Sequence, residues 1–293
     1  MTDSANISRP SQEPRRNPSL SLLIVASLFI IVPFLFWYGT WYGRKLSDSQ
    51  IEEQLSDAQH PRKVQHALTQ ISERIERGDE QVKQWYPKVI ALAGDPTPQI
   101  RMTAAWVMGQ DNRSQEFHNT LLHLLSDPDP LVRRNTALGL VRFADSSGRS
   151  ELAMMLRPYT VRAESEGIIS IALQTSDSED EQETVGTGTL LARIKEETGQ
   201  VFEVRSPMPG YLKSTMVKDG SRVTIGNELV LISPEPKQVL DALRGLFFVG
   251  EKEDLPDVEV YTRTLPHMGG QIQQQAEFTA KAIRSRSEGK AQQ

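Results

Sequence analysis

The side chains best suited to chemistry are few and scattered. Five histidines, His60, His66, His118, His123 and His267, are the strongest metal-ligand candidates in a chain of 293 residues that has no cysteine. His118 and His123 are five apart, and on a helix only spacings of three or four bring two side chains onto one face, so they do not form a metal pair. The lack of cysteine excludes disulfides, thiolate nucleophiles and zinc fingers. No Gly-x-x-x-x-Gly-Lys-Ser/Thr, His-Glu-x-x-His or Gly-x-Ser-x-Gly occurs, and Gly186-Thr187-Gly188 lacks the third glycine of a dinucleotide fingerprint. Carboxylates are plentiful but lie in polar runs, without the burial that tunes a general acid. The sequence therefore predicts no catalytic residue, metal, cofactor or small-molecule substrate, and the chain reads as a non-enzyme. A net charge of −5 also lacks the concentrated basic field of a nucleic-acid binder.

The elements around these residues begin with an apolar run. Residues 20–42 hold 23 positions without a charge, and a helix of that length spans roughly 34 Å, enough for a bilayer core. Trp37, Tyr38, Trp41 and Tyr42 crowd one end, as membrane-interface anchors do. A cleaved signal peptide has a shorter apolar core, roughly 7–15 residues, followed by small side chains. The prediction is a polar tail over 1–19 and a single transmembrane anchor over 20–43 that contacts the lipid bilayer. Arg9, Arg15 and Arg16 precede it and Arg44 and Lys45 follow, a slight bias toward an inside N-terminus. The C-terminal body is then expected outside the cytoplasm, in the periplasm of a bacterial inner membrane.

A repeat follows. Asp95-Pro96-Thr-Pro-Gln-Ile100-Arg101 matches Asp127-Pro128-Asp-Pro-Leu-Val132-Arg133, 32 residues later. A proline-containing turn ends one helix and starts the next, because proline fits the first helical turn and not the interior. Phe117, Leu121 and Leu124, and earlier Val64, Ala67, Leu68 and Ile71, recur at helical spacing. This pattern resembles HEAT (armadillo-like) repeats, including those of phycobilisome lyase subunits, over residues 46–157. The resemblance implies an α-solenoid that binds partners. Arg101 and Arg133 are expected to tie neighbouring repeats together, and Trp85 and Trp106 to lie in the core.

Near residue 158 helical periodicity gives way to Val, Ile, Thr and Gly at strand spacing. Val161 through Gly167-Ile-Ile aligns with Val204 through Gly210-Tyr-Leu, and Val185, Gly188, Leu191 and Ile194 align with Val223, Gly226, Leu229 and Ile232. Matched glycines mark turns or close backbone approaches. An acidic loop, Asp177 to Glu183, separates the strands of the first half. The duplication over 159–233 resembles the biotinyl/lipoyl-type barrel-sandwich hybrid, which also occurs in membrane-fusion adaptors. Carriers of that family hold a lysine at the hairpin tip joining the halves. Thr198, Gly199 and Gln200 occupy that place, and Lys195 lies on the strand side.

Pro234-Glu-Pro236 resembles the repeat turn, and the apolar stretch after it predicts a helix over 236–250. Two arrangements are open. Either it is an independent packing helix, or it is the second helix of a repeat whose first is 151–157, with the β-module inserted between. Residues 251–293 are expected to form a short helix and a partly disordered tail. The expected fold class is multidomain α+β: anchor, α-solenoid, all-β hybrid and C-terminal helix. The expected function is a membrane-anchored scaffold or accessory subunit binding protein partners in a larger complex. An atypical periplasmic export adaptor is the alternative, and a biotin/lipoyl carrier or lyase-like subunit a third.

Overall fold

The computed structural model describes residues 27–29, 31–34, 45–173, 183–265 and 267–291. The chain divides into two compact units, Met1–Ser47 and Asp48–Gln293. In the first, residues 27–29 and 31–34 are helical, and Phe29, Ile31, Val32 and Phe34 expose their apolar side chains. The rest of the predicted anchor, with Trp37, Tyr38, Trp41 and Tyr42, lies outside the described residues. Among the described residues no helix is long and apolar enough to cross a membrane.

The second unit opens with helices in pairs: α1 (Asp48–Leu55) with α2 (Pro61–Glu76), α3 (Tyr86–Ala91) with α4 (Pro98–Met108), and α5 (Gln115–Leu124) with α6 (Pro130–Arg142). A 3₁₀ turn, Glu80–Trp85, leads into α3. Proline occupies the first turn of α2, α4 and α6, where its missing N–H goes unneeded. The approaches to the first helices repeat as well. Asp79 accepts from Gln81 N–H, Asp111 from Arg113 N–H and Asp145 from Ser147 N–H, each two residues on. The second helices α2, α4 and α6 stack in order.

The fourth pair is split. α7 (Arg149–Met155) ends just before Arg157-Pro158, eight strands intervene among the described residues, and the chain returns through Ser233-Pro234 into α8 (Pro236–Val249). α8 packs on both α6 and α7. Leu152, Met155 and Leu156 share one core with Val239, Leu243 and Leu246. The approach is close: a Cβ on Gly245 would stand 3.0 Å from a Leu152 methyl. Two buried hydrogen bonds thread the same seam, Arg134 Nη1 to Gln238 Oε1 at 2.6 Å and Gln238 Nε2 to Met155 O at 2.7 Å. This is the packing that insertion of the β-module into a helix pair requires, and α8 is not independent of the array.

The chain beyond α8 departs from its expected partial disorder. α9 (Leu255–Glu259) is followed by α10, which runs 22 residues from Gly270 to Ala291. Ile272, Ala276, Ala280 and Ile283 form a buried stripe along α10. Its small residues let the helix settle against α8, where Thr279 Oγ1 donates to Leu243 O at 2.9 Å. Arg286 donates to the carbonyls of Phe247, Leu246 and Gly250 and so caps the C-terminus of α8.

The strands are β1 (Tyr159–Arg162), β2 (Gly167–Ile171), β3 (Thr184–Val185), β4 (Leu190–Lys195), β5 (Val201–Arg205), β6 (Gly210–Thr215), β7 (Arg222–Val223) and β8 (Glu228–Ser233). They form two antiparallel sheets, β1-β8-β6-β3 and β5-β4-β2-β7. Advancing every strand by four exchanges the sheets, which is the duplication seen in the sequence. The matched glycines do matched work. Gly188 and Gly226 take φ of 82° and 88° in equivalent turns. Gly167 and Gly210 open β2 and β6 against opposing backbone, where an added Cβ would stand 2.2 Å from Lys195 O and 2.3 Å from Ser233 O. Most of the acidic loop lies outside the described residues.

Because the contact at Gly210 is with backbone, Gly210→Ala is expected to lower unfolding stability by about 1–3 kcal/mol. Gly94→Ala, with open space around it, is expected to change stability by less than about 0.5 kcal/mol. Urea unfolding of the two variants beside the parent checks this.

Candidate functional site

The repeat turns are held by their own polar side chains. Asp95 accepts from Thr97 N–H and Asp127 from Asp129 N–H, both at 2.8 Å. Arg101 Nη1 donates to the carbonyls of Asp95 and Pro96, and Arg133 Nη1 to those of Asp127 and Pro128. Each arginine then reaches one repeat onward. Arg101 grips Asp127 with Nε and Nη2 at 2.7 and 2.8 Å. Arg133 Nε meets Glu151 at 3.2 Å, and the equivalent turn at Ser233-Pro234 has serine in place of the aspartate. Burial alone would push the Asp127 carboxyl up, but the Arg101 guanidinium and the Asp129 N–H together hold it below the ordinary range. These side chains are occupied in joining repeats.

The second helices present a different face. A groove of about 350 Å³ runs across α4, α6 and α8. Trp106, Leu138 and Arg244 line it, each eight residues after the proline that opens its helix. Beside it, Phe248 of α8 and Phe278 of α10 line an adjoining hollow of about 290 Å³. The aromatics stand proud of the surface, Trp106 39%, Phe248 66% and Phe278 53% exposed. Trp85 is buried as expected, whereas Trp106 is not a core residue: its position in the repeat faces the groove. Arg142 and Lys237 add positive charge, held by Gln110 and by Asp241 at 2.7 Å.

Residues 86–168 match the family described as HEAT repeats. The helices α3 to α7 of that segment carry the HEAT repeats, and its last residues already belong to β1 and β2. The match begins at the first residue of α3, so α1 and α2 extend the helix-pair arrangement ahead of it. No curated protein matches the chain. HEAT repeats commonly mediate protein–protein interactions, and the groove lies on α4 and α6 of the matched segment and on α8 beyond it.

The other residues singled out in the sequence are placed apart from the groove. His118 contacts Asp145 at 2.7 Å and stacks on Phe143, fixing the approach to α7. His123 is exposed. Among the described residues no group of three His, Asp or Glu is placed to hold a metal. Lys195 ends β4 opposite Val201 and Ile168, and the hairpin tip is closed by Glu196 N–H to Gln200 O at 2.9 Å with Gly199 at φ 88°. The groove residues Arg244, Phe248 and Phe278 escaped the sequence reading. One signal for Phe248 was present: twelve residues after the leading proline, Gln110, Arg142 and Phe248 are equivalent, and the first two are polar.

Removing Arg101 leaves the Asp127 carboxylate buried beside other acids. Arg101→Ala is expected to cost about 2–4 kcal/mol at neutral pH, less than a fully buried pair because Arg101 keeps an edge to water. A depressed carboxylate stabilises the fold above its unfolded pKa and loses that contribution as pH falls below about 4. The variant should therefore lose less stability than the parent on acidification, as urea midpoints near pH 7 and pH 3 would show.

Proposed function

We propose that this protein is a non-enzymatic, membrane-anchored scaffold or accessory subunit that holds protein partners in a larger membrane complex. The groove carries the reading. Three exposed aromatics beside Arg244, Arg142 and Lys237 are the composition of an interaction surface, where aromatic and arginine side chains supply most of the binding energy. The polar groups that could otherwise do chemistry, Arg101, Arg133, Asp127 and Glu151, are engaged in holding the array together. The uncharged run at 20–42, with its aromatic end, supports anchoring to the bilayer, with the body outside the cytoplasm.

The β-module is read as a barrel-sandwich hybrid of the biotinyl/lipoyl type. The exchange of its two sheets by a four-strand shift supports that reading, as do the adjacent chain ends in β1 and β8. With Thr198, Gly199 and Gln200 at its tip, it serves as a folded body rather than a carrier of a prosthetic group.

Solubilised membranes from cells expressing the full chain, affinity-purified, should yield stoichiometric protein partners. Trp106→Ala with Phe248→Ala should reduce their recovery more than about tenfold, since each truncates a candidate anchor, while unfolding stability changes little. Partners retained at parental level would exclude the groove. A reporter fused at the C-terminus should be active only outside the cytoplasm; activity confined to the cytoplasm would overturn the orientation.

A further inference from the structure

The β-module ends its sheets in four edge strands among the described residues, β1 and β3 in one, β5 and β7 in the other. An unpaired edge is a template for another strand unless it is short, bulged or blocked. β3 and β7 are two residues long. β1 breaks register between Val161 and Arg162 and follows Pro158. β5 is the longest of the four, follows no proline, and stays in unbroken register with β4 from Val201 to Val204, its one shift falling at the far end between Leu190 and Ala192. Its five residues, Val201–Arg205, include Val201 at 51% and Phe202 at 36% exposure.

The hairpin fixes which backbone groups are open. Glu196 N–H bonds Gln200 O, and bonded pairs alternate along an antiparallel ladder. Phe202 and Val204 therefore exchange bonds with Ile194 and Ala192, their register partners. The N–H and C=O groups of Val201 and Glu203 point away from β4.

That edge opens on a cleft of about 850 Å³ between the β-module and the repeat turns. The facing wall is Pro98, Pro128 and Pro130, which carry no N–H and present apolar rings. This space suits one extended segment. The cations that line it are engaged: Arg101 with Asp127, Arg162 with Glu228 and Arg205 with Glu203. Glu164, also on the lining, is exposed and in no ion pair among the described residues. Beside it, Ser165 is 7% exposed with a hydroxyl that lacks a hydrogen-bond partner. The uncompensated charge of the cleft is negative.

We infer that the β5 edge docks an extended segment of a protein partner, apolar along one face and bearing a basic side chain opposite Glu164, added as a strand beside β5. This surface is separate from the helical groove, so the two stand or fall independently.

Random seven-residue peptides displayed on phage and selected on the full chain in detergent test it. The selected peptides should alternate apolar side chains with at least one Lys or Arg. Their binding should weaken more than tenfold in Glu203→Pro, which removes an outward N–H, several-fold beyond any loss in Glu203→Gln, which frees Arg205 but keeps that N–H, and should hold in Trp106→Ala. Glu164→Lys, which leaves the edge intact, should select acidic peptides in place of basic ones. Failure to select any peptide would overturn the inference. So would peptides lost in Trp106→Ala but unaffected by Glu203→Pro, or a charge preference unchanged by Glu164→Lys.

Discussion

The pairing of β1 with β8 is what lets one chain hold both a helical array and a β-module. Tyr159 lies opposite Ile232 and Val161 opposite Val230, so the module begins and ends at one place. Some 80 residues of strands therefore fit between α7 and α8 as a short helix–helix turn would, and the two helices still meet. Their seam shows how closely they meet. Gly245 gives Leu152 room, and the buried Gln238 amide bonds across to both Arg134 and the carbonyl of Met155. A buried amide with both ends satisfied fixes the register of α8 more sharply than apolar contact alone. Had β1 and β8 been apart, α8 would have lacked its partner, and α10 its platform.

The same economy governs the charges. Arginines at the turns tie repeat to repeat, and Arg286 closes the last second helix by capping its carbonyls. Arg149 and Arg157 bind Asp254 and Asp257, fastening the C-terminal helices to the interrupted pair. Tyr261, donating to Leu156 O, has its hydroxyl pushed up to about 12 by burial and by Asp257, so it stays a proton donor at physiological pH. Once these commitments are made, exposed aromatics and a few unengaged charges remain on the surface.

Much of this fold was legible because duplication writes the same constraint twice. Asp95 and Asp127, or Gly167 and Gly210, recur at fixed separation only if each copy solves the same local problem, a turn or a close backbone approach. What was not legible depends on contacts between distant segments. Trp106 carries the signature of a core residue, large and apolar on an amphipathic helix, but its neighbours are α6 and α8, which leave that position open as a groove. The length of α10 was hidden because its buried stripe relies on alanine, a weak hydrophobic signal in a glutamine-rich stretch. The cleft beside β5 is bounded by repeat turns and strand edges far apart in sequence, and no local pattern announces it.

The central claim is that α8 belongs to the helical array and that the β-module is an excursion from it. Native-state hydrogen exchange on the intact chain, read by mass spectrometry under mild denaturant, tests that most directly, because segments that open together exchange together. The account predicts that amides of α8 share their opening free energy and denaturant dependence with α6 and α7, while β2, β4, β6 and β8 form a separate cooperative unit. Exchange of α8 in step with the strands, and apart from α7, would contradict it.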